Sequence, residues 1–293
     1  MPELISPAKR ISGFVRLPGD KSISHRYAML AAIAEGQTRI QNYSSGADCH
    51  STLGAVRDLS ISVEQRDGEI VIEGKGLDGL REPAAELDAG NSGSTIRMLS
   101  GILAAQPFTS RIGGDTSLSL RPMDRIIQPL TAMGAEIGAR DGRFPPLTIS
   151  GRKLRPIEYT LPVPSAQVKT CVLFAGLFAE GVTTVHELVR SRDHSELALR
   201  EFGAEVTVHR RTIAVEGRPK LTGRQLSVPS DLSSAAFFLV AALLLPDSEL
   251  VIEGVGLNPT RSTLLDFLIS CGAKIQVLNL EERAGEMVGT FAL

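Results

Sequence analysis

Tryptophan is absent, and phenylalanine and tyrosine together make up only 4% of the 293 residues. A recognition surface that stacks on nucleobases or sugars is therefore disfavoured. Cysteine is almost as scarce. Cys49, Cys171 and Cys271 are odd in number and far apart, which argues against a disulfide framework or a metal knuckle and reads as buried thiols in a reducing cytoplasm. His50, His186 and His209 lack partners at metal-ligand spacing, so no metal is expected. There is no excess of one charge: 31 Lys and Arg face 33 Asp and Glu, a net of −2. General affinity for nucleic acid is thereby excluded. Long apolar runs are missing too. The longest, Ala235 to Leu245, is about half of the roughly 20 residues that a membrane span needs, and it reads as a buried helix. Met1-Pro2-Glu3-Leu4 carries no basic region followed by a hydrophobic core, so no signal peptide is expected. These absences leave a cytoplasmic protein without membrane or nucleic-acid partners.

What is present is material for sizeable cores: 43% of residues are hydrophobic and 22% charged, in a length that suits roughly two domains. The strongest pattern is a repeat. Gly-Ala, a charged residue and Ile or Val occur at Gly134 to Ile137, Gly203 to Val206 and Gly272 to Ile275, with 69 residues between successive glycines. Each copy follows a helix-like stretch (Ile126 to Met133, Glu196 to Phe202, Leu264 to Cys271). The first two lead into strand pairs ending at Gly151 and Gly217. A weaker copy without Gly-Ala runs from Val56 to Gly74. Upstream in each unit a small polar turn opens an apolar helix, at Lys21-Ser22, Gly93-Ser94, Ser165-Ala166-Gln167 and Ser233-Ser234. The period is too long for an ordinary solenoid. It implies a duplicated α/β module of strand, helix, strand, helix and strand pair, with joints near Pro18-Gly19 and around Gly223 to Pro229.

The helix-opening turns carry the chemistry. Gly19-Asp20-Lys21-Ser22-Ile23-Ser24-His25-Arg26 offers free backbone N–H groups, a hydroxyl and two cations to one anion. It is not a P-loop, because five residues separate Gly13 from Gly19 and Asp20 precedes the lysine. In the second unit Gly90 and Gly93 permit close backbone approach, and Arg97 stands where Arg26 does. In the third, Pro164-Ser165-Ala166-Gln167-Val168-Lys169 again sets small polar residues before a cation. Arg121-Pro122-Met123-Asp124-Arg125 and Ser191-Arg192-Asp193-His194 add arginines suited to carboxylate and phosphate. Modules that aim such turns at one point would build a cradle for several anionic groups. The alternative for each taken singly is an ordinary capped helix with a solvated basic turn. His25 and His194 read as hydrogen-bonding residues, with His194 bracing the Arg192 loop. Asp231 reads as an N-cap or turn residue, and Asp124 as a carboxylate that orients Arg121.

In order and spacing, Gly19 to Arg26, Gly90 to Arg97, Arg121 to Met123, Pro164 to Gln167, Ser191 to His194 and Pro229 to Phe237 resemble the signature segments of the 3-phosphoshikimate 1-carboxyvinyltransferase (EPSP synthase) family. The resemblance covers essentially the whole chain. It implies an α/β fold of repeated βαβαββ units, three in each of two domains that form an inside-out α/β barrel. It also implies transfer of the enolpyruvyl group of phosphoenolpyruvate to the 5-hydroxyl of shikimate 3-phosphate, with release of phosphate and no cofactor. By motif match, Lys21, Ser22, Arg26, Ser165, Ala166, Gln167 and Arg192 would hold shikimate 3-phosphate. Lys21, Gly93, Arg121 and Gln167 would face phosphoenolpyruvate.

The resemblance also implies a shortfall. Four of six units are visible: residues 19–224 would form one domain of three units, and residues 1–18 with 225–293 would form part of the other. The family's catalytic acid and base segments have no counterpart before Leu293, so no catalytic residue is expected within this chain. Two readings follow. One is an enzyme of aromatic amino acid biosynthesis, a monomer when complete, seen as a C-terminally incomplete chain that is inactive alone. The other is a shortened homologue that binds a phosphorylated ligand without turnover.

Overall fold

The computed structural model describes residues 7–293. The signal-peptide expectation rests on Met1 to Leu4 and lies outside the described residues, as do the first six residues of the 1–18 segment. Strand β1 (Ser12–Arg16) comes first. The first unit follows as α1 (Lys21–Ile33), β2 (Glu35–Gln41), α2 (Ala47–Asp58), β3 (Ser62–Arg66) and β4 (Glu69–Lys75). The second is β5 (Leu87–Asp88), α3 (Gly93–Leu103), β6 (Thr109–Gly113), α4 (Asp124–Met133), β7 (Glu136–Arg140) and β8 (Phe144–Ser150). The third is β9 (Glu158–Thr160), α5 (Ala166–Gly176), β10 (Val182–His186), α6 (His194–Phe202), β11 (Val206–His209) and β12 (Thr212–Glu216). Last come β13 (Gln225–Ser227), α7 (Leu232–Leu244), β14 (Glu249–Gly256), α8 (Thr263–Ser270), β15 (Gln276–Arg283) and β16 (Glu286–Ala292).

Each unit builds a mixed four-stranded sheet of one design, with an edge strand parallel to its neighbour and two antiparallel strands beyond. In the second and third units the edge strand, β5 or β9, belongs to the same unit. The first unit instead receives β13, whose Gln225 lies opposite Arg39. The fourth sheet receives β1, whose Ser12 lies opposite Glu249. The chain therefore crosses twice between two bodies. The crossing segments bridge at Gly19 and Ser230, where Asp20 N donates to Pro229 O at 2.8 Å and Asp231 N to Pro18 O at 3.1 Å. A Cβ on Gly19 would lie 1.9 Å from Asn42 O, so only glycine fits this crossing. The pairing of β13 carries the three-sheet body on to Val228, whose side chain lies in the same core.

The three-sheet body is packed from the inside by helices. Nearly all of α1 and α5 is buried, and α3 lies against α5 so closely that a Cβ on Gly101 would stand 2.2 Å from Cys171 O. A second, smaller core joins Leu17, α7, β14, α8 and β16 around Leu239, Ile252 and Phe291. Helix α7 is where the expectation of a buried helix fails. Leu232, Ala235, Leu239 and Ala242 form its one buried stripe, while Phe237 is 78% and Leu244 77% exposed. Phe267 on α8 and Leu280 on β15 add to this uncovered apolar surface. Cys49 and Cys171 are buried free thiols as expected, but Cys271 is exposed at the end of α8. No helix among the described residues is long and apolar enough to cross a membrane.

Candidate binding cleft

The opening helices of the three units begin alike. The Asp20 carboxylate accepts from Ile23 N at 3.1 Å, Ser92 Oγ from Thr95 N at 3.0 Å, and Ser165 Oγ from Val168 N at 3.3 Å. These caps satisfy one donor each and leave other first-turn N–H groups, with the positive end of each helix, available to a ligand. Between the two bodies lies a cleft of about 700 Å³. Lys21, Ser22 and Arg26 reach it from α1, Ser165, Ala166 and Gln167 from the start of α5, and Arg192 from the loop before α6. Seven residues singled out from three separate stretches of sequence thus share one cavity.

Their surroundings hold them in place. Arg26 is buried: its Nε donates to Ser195 Oγ at 2.7 Å, one terminal nitrogen to Ser22 O at 2.7 Å, and the other to Thr170 Oγ1 at 2.9 Å. Burial lowers its pKa to about 10, partly opposed by the nearby Glu196 carboxylate, so it stays cationic at neutral pH. Arg192 donates to Ser22 Oγ at 2.9 Å. Burial, and after it the charge of Arg261, pushes its pKa down. Lys21 Nζ meets Asp48 Oδ2 at 2.8 Å and remains half exposed.

Gly93 and Arg121 do not line the cleft itself but stand beside it. Gln167 Nε2 donates to Ser94 Oγ at 2.9 Å, and Arg97 donates to Gln167 Oε1 at 3.1 Å. A Cβ on Gly93 would sit 2.6 Å from that same Arg97 nitrogen and 3.5 Å from Arg121. Arg121 is held by the backbone and side-chain oxygens of Asn91. The pKa of Arg97 is pushed down by burial and then by the charges of Arg121 and Arg125. These arginines crowd together with neutral partners, an arrangement that an anion would relieve.

Several single-residue readings change. Asp124 pairs with Arg143 at 2.9 Å, not with Arg121, because Arg121 turns back to the Asn91 loop. His194 Nδ1 meets Glu286 Oε1 at 2.6 Å, across to the smaller body, rather than bracing Arg192. Lys169, the expected third cradle cation, is fully buried and turned away from the cleft. His25 and Asp231 take the hydrogen-bonding and capping places expected of them. His25 Nδ1 lies 2.6 Å from Thr52 Oγ1 inside the body, and Asp231 caps α7 by accepting from Ser233 N at 2.8 Å. Sequence reasoning missed Arg261, which donates to the carboxylates of Asp20 and Asp231 and to Ser233 Oγ. It sits in an irregular loop after Pro259 and carries no local signal. Ser94 and Ser191, which also line the cleft, lay within the flagged segments and could have been read there.

The fold and the cleft together define a protein of repeated α/β units whose helix starts bring cationic and hydroxyl side chains to one cavity. The chain belongs to the EPSP synthase (3-phosphoshikimate 1-carboxyvinyltransferase) family, whose pattern it matches over residues 5–290. It is 69% identical over 289 residues to the 3-phosphoshikimate 1-carboxyvinyltransferase of Solibacter usitatus, covering 99% of this chain and 68% of the relative. To that of Koribacter versatilis it is 55% identical, covering 99% and 67%. The solved EPSP synthase of Acinetobacter baumannii superposes with a TM-score of 0.92 at 45% identity, covering 98% of this chain and 65% of that one. The chain thus spans about two thirds of the length of these relatives.

Proposed function

We propose that this chain supplies the shikimate 3-phosphate side of an enolpyruvyl transferase of aromatic amino acid biosynthesis. The reaction moves the enolpyruvyl group of phosphoenolpyruvate to the 5-hydroxyl of shikimate 3-phosphate and releases phosphate. The observation that carries this reading is the convergence of Lys21, Ser22, Arg26, Ser165, Ala166, Gln167 and Arg192 on one cationic cleft. In this reading Ser165, Ala166 and Gln167 present hydroxyl, N–H and amide groups to the phosphate, while Ser22, Arg26 and Arg192 hold the rest of the ligand. Phosphoenolpyruvate lies between Lys21, Gln167, Gly93 and Arg121, where arginines already crowd. Fixed cations then stabilise charge developing in the addition and elimination steps. The domain assignment follows the two cores: residues 19–228 carry the site, and residues 7–18 with 229–293 belong to the other domain. This corresponds to four of the six units of the family's inside-out barrel. We place the enzyme in the cytoplasm, as a monomer when complete.

The 293-residue polypeptide by itself is proposed to bind without turnover. Asp231 is the carboxylate that lines the cleft, and it is engaged by Ser233 N, Lys21 N and Arg261. A proton donor for the phosphoenolpyruvate methylene and a base for the attacking hydroxyl must therefore come from elsewhere. The binding claim is tested by calorimetric titration of residues 1–293 with shikimate 3-phosphate. Charge-assisted hydrogen bonds are worth about 1.5–3 kcal/mol, so Arg192→Ala should weaken binding about tenfold to a hundredfold. Unchanged affinity would remove Arg192 from the site.

A further inference from the structure

One wall of the cleft lacks an evident anchor. The loop from Glu187 to Arg192 delivers Ser191 and Arg192 to the cavity, yet its apolar residues Leu188 and Val189 are 57% and 59% exposed. Hydrophobic packing does not hold it. Arg211 meets the backbone of Glu187 and Leu188 at the start of the loop; what holds its far end, at Ser191, is a buried carboxylate. One oxygen of Glu187 accepts from Ser191 N at 3.1 Å and from the Ser191 hydroxyl. The other oxygen lies 3.2 Å from Lys169 Nζ, which also meets Glu196 Oε1 at 2.7 Å. All three charged side chains are almost wholly out of solvent.

Stability alone is a weak reason for such a cluster. Buried ion pairs are costly to desolvate, and well-packed apolar residues often serve as well or better. Here, moreover, Glu196 Oε2 is buried without a partner. The cluster does supply geometry. Lys169 and Thr170 are neighbours on α5, and Ser195 and Glu196 are neighbours on α6. Thr170 Oγ1 and Ser195 Oγ both contact Arg26, while Lys169 and Glu196 contact each other. The start of α5, the loop before α6 and the Arg26 guanidinium are thereby tied into one network, and each of them contributes to the cleft.

We propose that Lys169 and Glu187 are positioning residues, which fix the Ser191–Arg192 loop against Ser22 and so set the affinity of the cleft for its phosphorylated ligand. The affinity half of this claim rests on the function proposed above; the loop half does not. Lys169 orients Glu187, and Glu187 holds the Ser191 N–H, so that Arg192 is delivered to Ser22 Oγ. Glu187→Gln keeps the size of the side chain and removes one acceptor. A glutamine has one oxygen where the carboxylate has two, so it can accept from Ser191 N or from Lys169 but not from both.

The experiment follows amide hydrogen exchange and shikimate 3-phosphate affinity in residues 1–293. In Glu187→Gln, exchange at Ser191 should quicken at least tenfold while α3 and β12 keep their rates. Affinity should fall about tenfold. Lys169→Arg, which keeps a cation, should stay within about threefold of the parent in both readouts; Lys169→Met should behave like Glu187→Gln. Should Lys169→Met fail to fold, the near-isosteric Glu187→Gln decides alone. Unchanged exchange at Ser191 in Glu187→Gln overturns the proposal, and so does acceleration spread evenly over the chain, which would mark a purely structural role. A parent protein that binds no shikimate 3-phosphate overturns the substrate reading instead, and exchange at Ser191 then decides the loop claim by itself.

Discussion

At the scale of the residue, His25 illustrates how a motif histidine can be chemically silent. It lies inside α1, buried, with Nδ1 against Thr52 Oγ1. Burial, and after it the neighbouring Arg26 charge, lowers its pKa to about 3. An unfolded chain protonates this imidazole near its usual value of about 6.5. Between those two values the unfolded state binds more protons, so the contribution to stability is complete above about pH 6.5 and is lost as the pH falls toward 3. One such group gives a slope approaching about 1.4 kcal/mol per pH unit. Urea unfolding at pH 6.5 and 4.5 should therefore show the parent losing about 2 kcal/mol more than His25→Asn, whose amide can still meet Thr52. Parallel losses would mean that His25 is not held neutral. The quiet role of His25 was legible, because the imidazole leads directly into the apolar run of its helix and is drawn into the core with it. The partners of Asp124 and the inward turn of Lys169 were not. Both depend on which way a side chain points after the loops close, and adjacency in sequence says nothing of that.

At the scale of the element, the repeat is written most clearly at helix ends. Gly134 N donates to Thr131 O and Ala135 N to Leu130 O. Gly203 and Ala204 make the same pair of bonds to Arg200 and Leu199, and Gly272 and Ala273 to Ile269 and Leu268. All three glycines have positive φ, at 109°, 102° and 92°, as this helix-ending motif requires. The weaker first copy uses the same geometry without glycine. Ser60, at φ 67°, donates to Arg57 O, and Ile61 N donates to Val56 O. A serine in the left-handed region is strained by about 1–2 kcal/mol, while a glycine there costs about 0.4–1 kcal/mol through the unfolded chain. Because Ser60 is exposed, Ser60→Gly should stabilise the protein by about 0.5–1 kcal/mol in urea unfolding. A destabilised variant would show that the serine is not strained. The repeat was legible because a helix stop demands glycine at a fixed place. The exposure of α7 was not: its composition is apolar on every face, and only the packing partner decides which stripe is buried.

At the scale of the whole molecule, the two crossings through Gly19 and Ser230 are what make a site between bodies possible. They also set what residues 1–293 can do by themselves. The cleft residues on α1, at the start of α5 and before α6 are assembled on a continuous core, whereas the smaller body leaves Phe237, Leu244 and Phe267 in solvent. Large apolar side chains exposed on both α7 and α8 favour a cover. The family relatives have about a third more of their length to supply one. The cleft is correspondingly unequal, with cations from Lys21, Arg26, Arg192 and Arg261 but a single carboxylate that is already engaged. Loss of general acid–base assistance costs about 10²–10⁴ in rate, and an open cleft that admits water weakens every charge contact within it. Residues 1–293 should therefore bind shikimate 3-phosphate yet release no phosphate above background when both substrates are present. Adding the remaining third of a family chain, fused or as a separate fragment, should restore turnover and reduce the binding of a hydrophobic dye to α7 and α8. Robust phosphate release by the 293 residues alone would mean that the acid and base lie within the cleft as it stands, with Asp231 released from Arg261 as the first group to test.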